Sequence, residues 1–231
     1  MVTKPSLPQD IKTITVTDFI EDKGNVINRP PFVLYCKGNT DLFYEAFDYG
    51  VSIIGSREAT PNGVGMAQKL AKHCAEKNYP VVCPLCPGIA EQAIATSLSN
   101  NGKPIVFLSS GFDNIYPPSM KELAELVAEK GLLITEYPPD VKINQKNIAA
   151  RNRIIGALPK ATIIVEAKKH SGTLITAAFA LNAGRDVGVV PQQVNPEDAC
   201  NEMIRDGAFP VIDETDIDLM LSKGGDEAWK N

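Results

Sequence analysis

Three short segments carry residue types that could hold a phosphate. Gly55-Ser56-Arg57 opens a loop running from an apolar stretch into a segment of helical period. Glycine permits a sharp turn, a following helix N-terminus presents free N–H groups and the positive end of its dipole, and Arg57 adds a forked cation. Further on, Lys146 precedes Arg151-Asn152-Arg153, two arginines flanking an amide just before Ile154-Ile155. In His170-Ser171-Gly172-Thr173, Ser171 or Thr173 can cap the next helix while Gly172 admits a ligand close to the backbone. Each segment also has a plain alternative: a Gly-Ser turn with a surface arginine, a helix with a solvated basic face, and a capped helix without a ligand.

Charge narrows the choice. The chain has 231 residues and a formal net charge of −5, which argues against coating nucleic acid by bulk attraction, because counterion release needs clustered Lys and Arg at the phosphates. Any such site must be local. Between Val141 and Arg185 the basic residues Lys142, Lys146, Arg151, Arg153, Lys160, Lys168, Lys169 and Arg185 face one acid, Glu166, and a run of this kind is the expected footprint of a phosphate-backbone site. Histidine chemistry is weakly supported: His170 has no acid at triad spacing, and His73 lies in a helical segment. Cys83-Pro84-Leu85-Cys86 has redox or half-zinc spacing, but no second CxxC follows and Cys83 falls in an apolar run. We expect no catalytic residue, no metal and no cofactor. Five scattered cysteines, no signal-peptide core and no membrane-length apolar run fit a cytoplasmic protein with reduced thiols.

The elements that must position these segments follow from hydrophobic patterning. Strand-length runs at Val51 to Ile54, Val81 to Cys83, Ile105 to Leu108, Leu132 to Thr135, Thr162 to Val165 and Val187 to Val190 alternate with helical segments. An edge strand is expected at Pro210 to Ile212. Met66, Leu70 and Cys74 mark one helical stripe, and Leu123, Leu126 and Val127 another. The fold class is therefore α/β: a doubly wound, mostly parallel, Rossmann-like sheet with helices on both faces, whose ligands sit beyond the carboxyl ends of the strands. Residues 51–212 form this domain. Residues 1–50 read as an extension packed on the core, with a short strand and turn around Phe32 to Phe47, and 213–231 as a short helix and polar tail.

From Val51 to about Ala208 the ordered set Gly55-Ser56-Arg57, Gly88-Ile89, Tyr116-Pro117-Pro118, Thr135-Glu136-Tyr137-Pro138, Arg151-Asn152-Arg153-Ile154-Ile155, Val165-Glu166-Ala167, Ser171-Gly172-Thr173-Leu174-Ile175-Thr176-Ala177, Gly184-Arg185-Asp186-Val187 and Asn201 through Ala208 resembles the Rossmann-like domain of the DNA-processing protein A (DprA/Smf) family. Pro31 to Gly38 resembles the segment preceding it. The resemblance implies a non-enzymatic protein that binds and protects single-stranded DNA, loads a RecA-type recombinase and forms homodimers. It implies a backbone-binding pocket at Ser56, Arg57, Arg151, Arg153, Ser171, Gly172 and Thr173, and the three segments themselves add Gly55, Lys146 and Asn152 as candidates for the same DNA phosphates.

The sequence also departs from that family. Cys83 to Ala90 replaces Ser-Gly-Leu-Ala-Arg-Gly-Ile-Asp, Ile148-Ala149 replaces Phe-Pro, and Gln192-Gln193 replaces Gly-Ser. A competing class is a nucleotide-binding sensor, since one pocket chemistry serves free and polymeric phosphates alike. Another is a phosphoribohydrolase-like enzyme, whose Pro-Gly-Gly-x-Gly-Thr loop is absent at His170 to Thr173.

Overall fold

The computed structural model describes residues 8–18, 26–27 and 29–222, so the expected polar tail lies outside the described residues beyond 222. Among the described residues the strands form one nine-stranded sheet: β1 (Lys12–Thr15), β2 (Val33–Gly38), β3 (Val51–Ile54), β4 (Val81–Pro84), β5 (Ile105–Phe107), β6 (Leu132–Thr135), β7 (Ala161–Ile164), β8 (Asp186–Val189) and β9 (Phe209–Pro210). Their order across the sheet is β1-β2-β6-β5-β4-β3-β7-β8-β9. From β6 to β9 every pairing is parallel, whereas β2 runs antiparallel to β6 and β1 antiparallel to β2.

Helices cover both faces because the central strands are apolar on both sides. Val51 and Ile53, Val81 and Cys83, Val106, Leu133, Ala161 and Ile163 turn to one core. Ile54, Val82, Ile105, Phe107, Leu132, Ile134 and Ile164 turn to the other. The first core packs under α2 (Pro61–Glu76), α3 (Ile89–Ser99), α4 (Lys121–Lys130) and α8 (Asp216–Ser222). The second packs under α1 (Asp41–Tyr49), α5 (Gln145–Ala157), α6 (Gly172–Asn182) and α7 (Cys200–Arg205). A fully buried Leu, Ile or Phe on either face contributes about 1.5–3 kcal/mol through the water it leaves behind.

The chain lays β3 to β6 outward on one side and then returns to place β7 beside β3. That reversal is the topological switch point, and the loops leaving β3 and β7 diverge to opposite faces, opening a crevice between them.

Three local expectations need correction. The stretch from Asp41 is a full helix, because Leu42, Phe43, Ala46 and Phe47 bury one side; the expected turn is not there, and β1 adds a strand the patterning missed. In α4 the buried side is Ala124 and Val127 while Leu126 is 43% exposed, so the stripe turns on a small alanine that a search for large apolar residues passes over. The edge strand is Phe209–Pro210, one residue early, with Val211 buried beyond it.

Candidate functional site

The crevice at the switch point is a cleft of about 450 Å³ walled by the loop after β3, by α5 and by the start of α6. Helix periodicity decides what α5 presents. Ile148, Arg151, Asn152 and Ile155, spaced i, i+3, i+4 and i+7, all reach the cleft. Gly55, Ser56 and Arg57 form the opposite lip, and Ser171, Gly172 and Thr173 the end wall.

Arg151 is the unusual group. It is 6% exposed, its Nη2 donates to Asn152 Oδ1 at 3.3 Å, and its Nε has no partner among the described residues. No carboxylate pairs with it among the described residues. Burial pushes the guanidinium down to about 10 and Arg57 acts in the same direction, so the group still carries its charge at neutral pH. A buried cation without a counter-charge is costly, and the arrangement persists when an anion can enter. Burial raises the Cys86 thiol above its usual range, although Arg151 and Arg57 pull it down.

At the end wall, Ser171 sits in extended backbone at the N-cap of α6 but makes no capping bond, and its buried hydroxyl has no partner among the described residues. Thr173 instead donates to Gly55 O at 3.4 Å, and Asn152 Nδ2 to Gly172 O at 3.4 Å. The expected cap from Ser171 or Thr173 is therefore not formed. The first turn of an eleven-residue helix opens onto the cleft with a hydroxyl beside it.

The helix that follows Gly55-Ser56-Arg57 behaves oppositely. Thr60 caps α2 by accepting from Gly63 N at 3.1 Å, and the Glu166 carboxylate accepts from Thr60 N at 3.2 and 3.3 Å and from the Thr60 hydroxyl. A side chain at Gly63 would collide with that carboxylate, which is why glycine stands there. At this helix the Gly63 N–H is taken by Thr60, and the Thr60 N–H and hydroxyl in turn by Glu166, 6% exposed, whose carboxylate already lies over the first turn, so the loop contributes Arg57 and its backbone and no open helix terminus. Gly88, at φ 82°, lets the start of α3 press against the same loop, and Ile89 N donates to Ser56 O at 3.1 Å. Ser56 closes a local turn with Glu58, the Glu58 N–H donating to its hydroxyl at 3.1 Å.

The basic run between Val141 and Arg185 does not gather into one patch. Arg153 points away from Arg151, about 200° around α5. It forms a two-pronged ion pair with Glu136, with Nη1 2.6 Å from Oε2, and donates through Nε to Arg29 O at 2.9 Å. Lys168 pairs with Glu58 and Lys169 with Glu202, each at 2.9 Å. Arg185 donates to Ala157 O, at the last residue of α5, at 3.0 Å. Lys146 is exposed on the first turn of α5, outside the cleft lining. The structure thus gathers Gly55, Ser56, Arg57, Arg151, Asn152, Ser171, Gly172 and Thr173 and leaves Lys146 and Arg153 apart. Glu166 was visible as the single acid of a basic run, but nothing in its spacing showed which helix it would cap. Cys83 donates its thiol to Ile53 O at 3.1 Å within the core.

A family model described as DNA recombination-mediator protein A matches residues 13–222. The chain is 36% identical over 194 residues to Protein Smf of Synechocystis sp., covering 83% of this chain and 49% of that protein. It is 34% identical over 190 residues to DNA processing protein DprA of Bacillus subtilis, covering 81% and 63%. The chain therefore spans about half to two-thirds of these curated relatives. Among solved structures, DprA of Streptococcus pneumoniae superposes with a TM-score of 0.84 at 30% identity, over 95% of this chain and 76% of that one. DNA processing protein A of Helicobacter pylori, a structure concerned with its single-stranded DNA binding mode, superposes with a TM-score of 0.81 at 27% identity, over 92% and 96%. The molybdenum cofactor carrier protein of Chlamydomonas reinhardtii, at 18% identity and a TM-score of 0.51, shares the fold alone.

Proposed function

The chain belongs to the DNA recombination-mediator protein A family, and from that premise we propose that it binds single-stranded DNA in the cleft between the β3 loop, α5 and α6. The observation that carries the reading is Arg151: a buried, charged guanidinium with no paired carboxylate among the described residues, beside a helix N-terminus without a side-chain cap, with Arg57 at the lip. A phosphodiester supplies the charge and acceptors these groups lack. Ser56, Asn152, Ser171, Gly172 and Thr173 position the backbone, and Arg57 and Arg151 neutralise it.

The protein acts as a binding partner in DNA processing and recombination and not as an enzyme; the cleft is lined by the cations Arg57, Arg151 and Lys168, by hydroxyls, an amide and apolar side chains, its carboxylate Glu58 is held by Lys168, and the Cys86 thiol is kept protonated by burial. Family membership supports a RecA-type recombinase and a second copy of the chain as partners, and a cytoplasmic location. Among the described residues no helix is long and apolar enough to cross a membrane.

A titration with mixed-sequence single strands, the matching duplex, and mono- and dinucleotides tests this at several salt concentrations. The single strand should bind tightest, with log affinity falling linearly against log salt at a slope of about −0.7 per phosphate neutralised. Tighter binding of a mononucleotide than of any oligonucleotide would assign the cleft to a free nucleotide instead.

A further inference from the structure

The two thiols of Cys83-Pro84-Leu85-Cys86 have different surroundings, and the phosphate reading uses neither. Cys83, in β4, is fully buried, and its thiol donates to Ile53 O at 3.1 Å. Of the five cysteines, all among the described residues, Cys86 alone is not buried. It lies just past the end of β4, where the family pattern has alanine. It lines both the cleft of about 450 Å³ and a neighbouring hollow of about 160 Å³, each also walled by Arg57, Ile148 and Arg151.

Its company sets this thiol apart from an ordinary surface cysteine. Arg151, 6% exposed and with no partner for its Nε among the described residues, lines the same two cavities. Burial holds the Cys86 thiol above its usual range, with Glu91 acting the same way, and Arg151 and Arg57 pull against them. The thiol is therefore protonated at neutral pH and reacts slowly with a neutral reagent, since the thiolate is the nucleophile. A reagent carrying negative charge meets different conditions: the two guanidiniums draw it into the cleft, and charge of one sign in a cleft raises the local concentration of its counter-ion by about 10–10³-fold.

We propose that Cys86 is a thiolation site for small disulfides bearing a carboxylate, and that the adduct seats its carboxylate on Arg151 and closes the cleft to DNA. The Cys86 proton goes to solvent and the thiolate attacks one sulfur of the reagent. A new S–S bond forms as the reagent's own breaks, and the second reagent sulfur leaves as a thiolate. No further oxidant is needed. The adduct brings Arg151 the counter-charge it lacks, which favours the modified state. In a redox CxxC pair the second thiol expels such an adduct. Cys83, sealed in the core with its thiol pushed up by burial, does not, so the adduct stays until an external thiol removes it. The closing of the cleft to DNA rests on the single-strand reading; the preference for an anionic disulfide does not.

The test treats the native protein with dithiobis(nitrobenzoate), a dianionic disulfide, and with the neutral dithiodipyridine. Each rate is divided by that of the same reagent with mercaptoethanol, and the ratio of the two cancels the thiolate fraction common to both. The anionic reagent should be favoured about tenfold or more, with a single label that mass spectrometry places on Cys86 and that Cys86→Ala does not take up. Added salt and Arg151→Met should each bring the ratio down towards one. Labelled protein should bind a mixed-sequence single strand about tenfold or more weakly than unlabelled protein. Dithiothreitol should restore the affinity, and Cys86→Ala should bind alike with and without reagent. A ratio near one in the native protein, or a label on another cysteine, overturns the thiolation site. Full labelling of Cys86 that leaves single-strand affinity unchanged overturns the closing of the cleft. If unlabelled protein binds no single strand while the anionic preference holds, the DNA reading falls and the thiolation site stands.

Discussion

Two helices begin at the switch point, and their N-termini meet opposite fates. Over the start of α2 the protein lays its own carboxylate, Glu166, hydrogen-bonded to Thr60 and packed against Gly63. At the start of α6 it leaves the Ser171 hydroxyl without a partner and sets the buried cation Arg151 nearby, with no carboxylate paired to it, among the described residues. Both termini attract anions for the same reason, the alignment of free N–H groups and peptide dipoles. One anion is built into the fold and the other must come from outside. A strand-to-helix glycine loop such as Gly55-Ser56-Arg57 therefore does not by itself identify an open phosphate site; what identifies it is the charge left unbalanced.

The comparison breaks most sharply at its two charged residues. Arg151→Met should weaken single-strand binding by about 3 kcal/mol, on the order of a hundredfold, because a buried charged contact to phosphate is lost. The same change should stabilise the free protein by about 1 kcal/mol, raising Tm by roughly 2–4 °C, since it removes an unpaired buried charge. Glu166→Ala should do the reverse. Losing the carboxylate bonds to Thr60 should cost about 2–3 kcal/mol of stability, read as a fall in Tm, with DNA affinity changing less than about threefold.

Arg153 sharpens the contrast within one helix. Arg153→Ala, which strands Glu136 at 15% side-chain exposure, should cost about 2 kcal/mol of stability by denaturant unfolding. Its single-strand affinity should stay within about twofold of native, and a large loss of affinity would show that α5 has been oriented wrongly. The smallest effect separates the two caps. Thr60→Ala should destabilise by about 1 kcal/mol, as loss of a working N-cap does, whereas Ser171→Ala should cost under about 0.5 kcal/mol. Only Ser171→Ala should weaken binding, by about threefold or more.

These residues also show how far the sequence could be read. The strands β3 to β8 were legible because a two-sided buried strand is a short apolar run, and the candidates Gly55, Arg57 and Ser171 in loops and Arg151 on α5 follow from residue chemistry, although the cap expected of Ser171 is not made. The two arginines around Asn152 were not separated, although their places two apart on a helix force them to opposite sides. The run Ile148, Arg151, Asn152, Ile155 was the signal that could have done so. The role of Glu166 was not legible, because its partner Thr60 lies 106 residues away and only the packing of β7 beside β3 brings them together. Likewise Lys168, Lys169 and Arg185 read as one basic patch in the chain and are taken up singly by Glu58, Glu202 and carbonyl oxygens in the fold.

The most direct measurement of the central claim is single-strand affinity against salt for the native protein, Arg151→Met and Glu166→Ala under identical conditions. The native protein and Glu166→Ala should show nearly the same affinity and the same steep salt slope, while Arg151→Met binds on the order of a hundredfold more weakly with a slope shallower by about 0.7, one phosphate contact fewer. Native-like affinity and slope in Arg151→Met would contradict the account, placing the DNA elsewhere on the molecule.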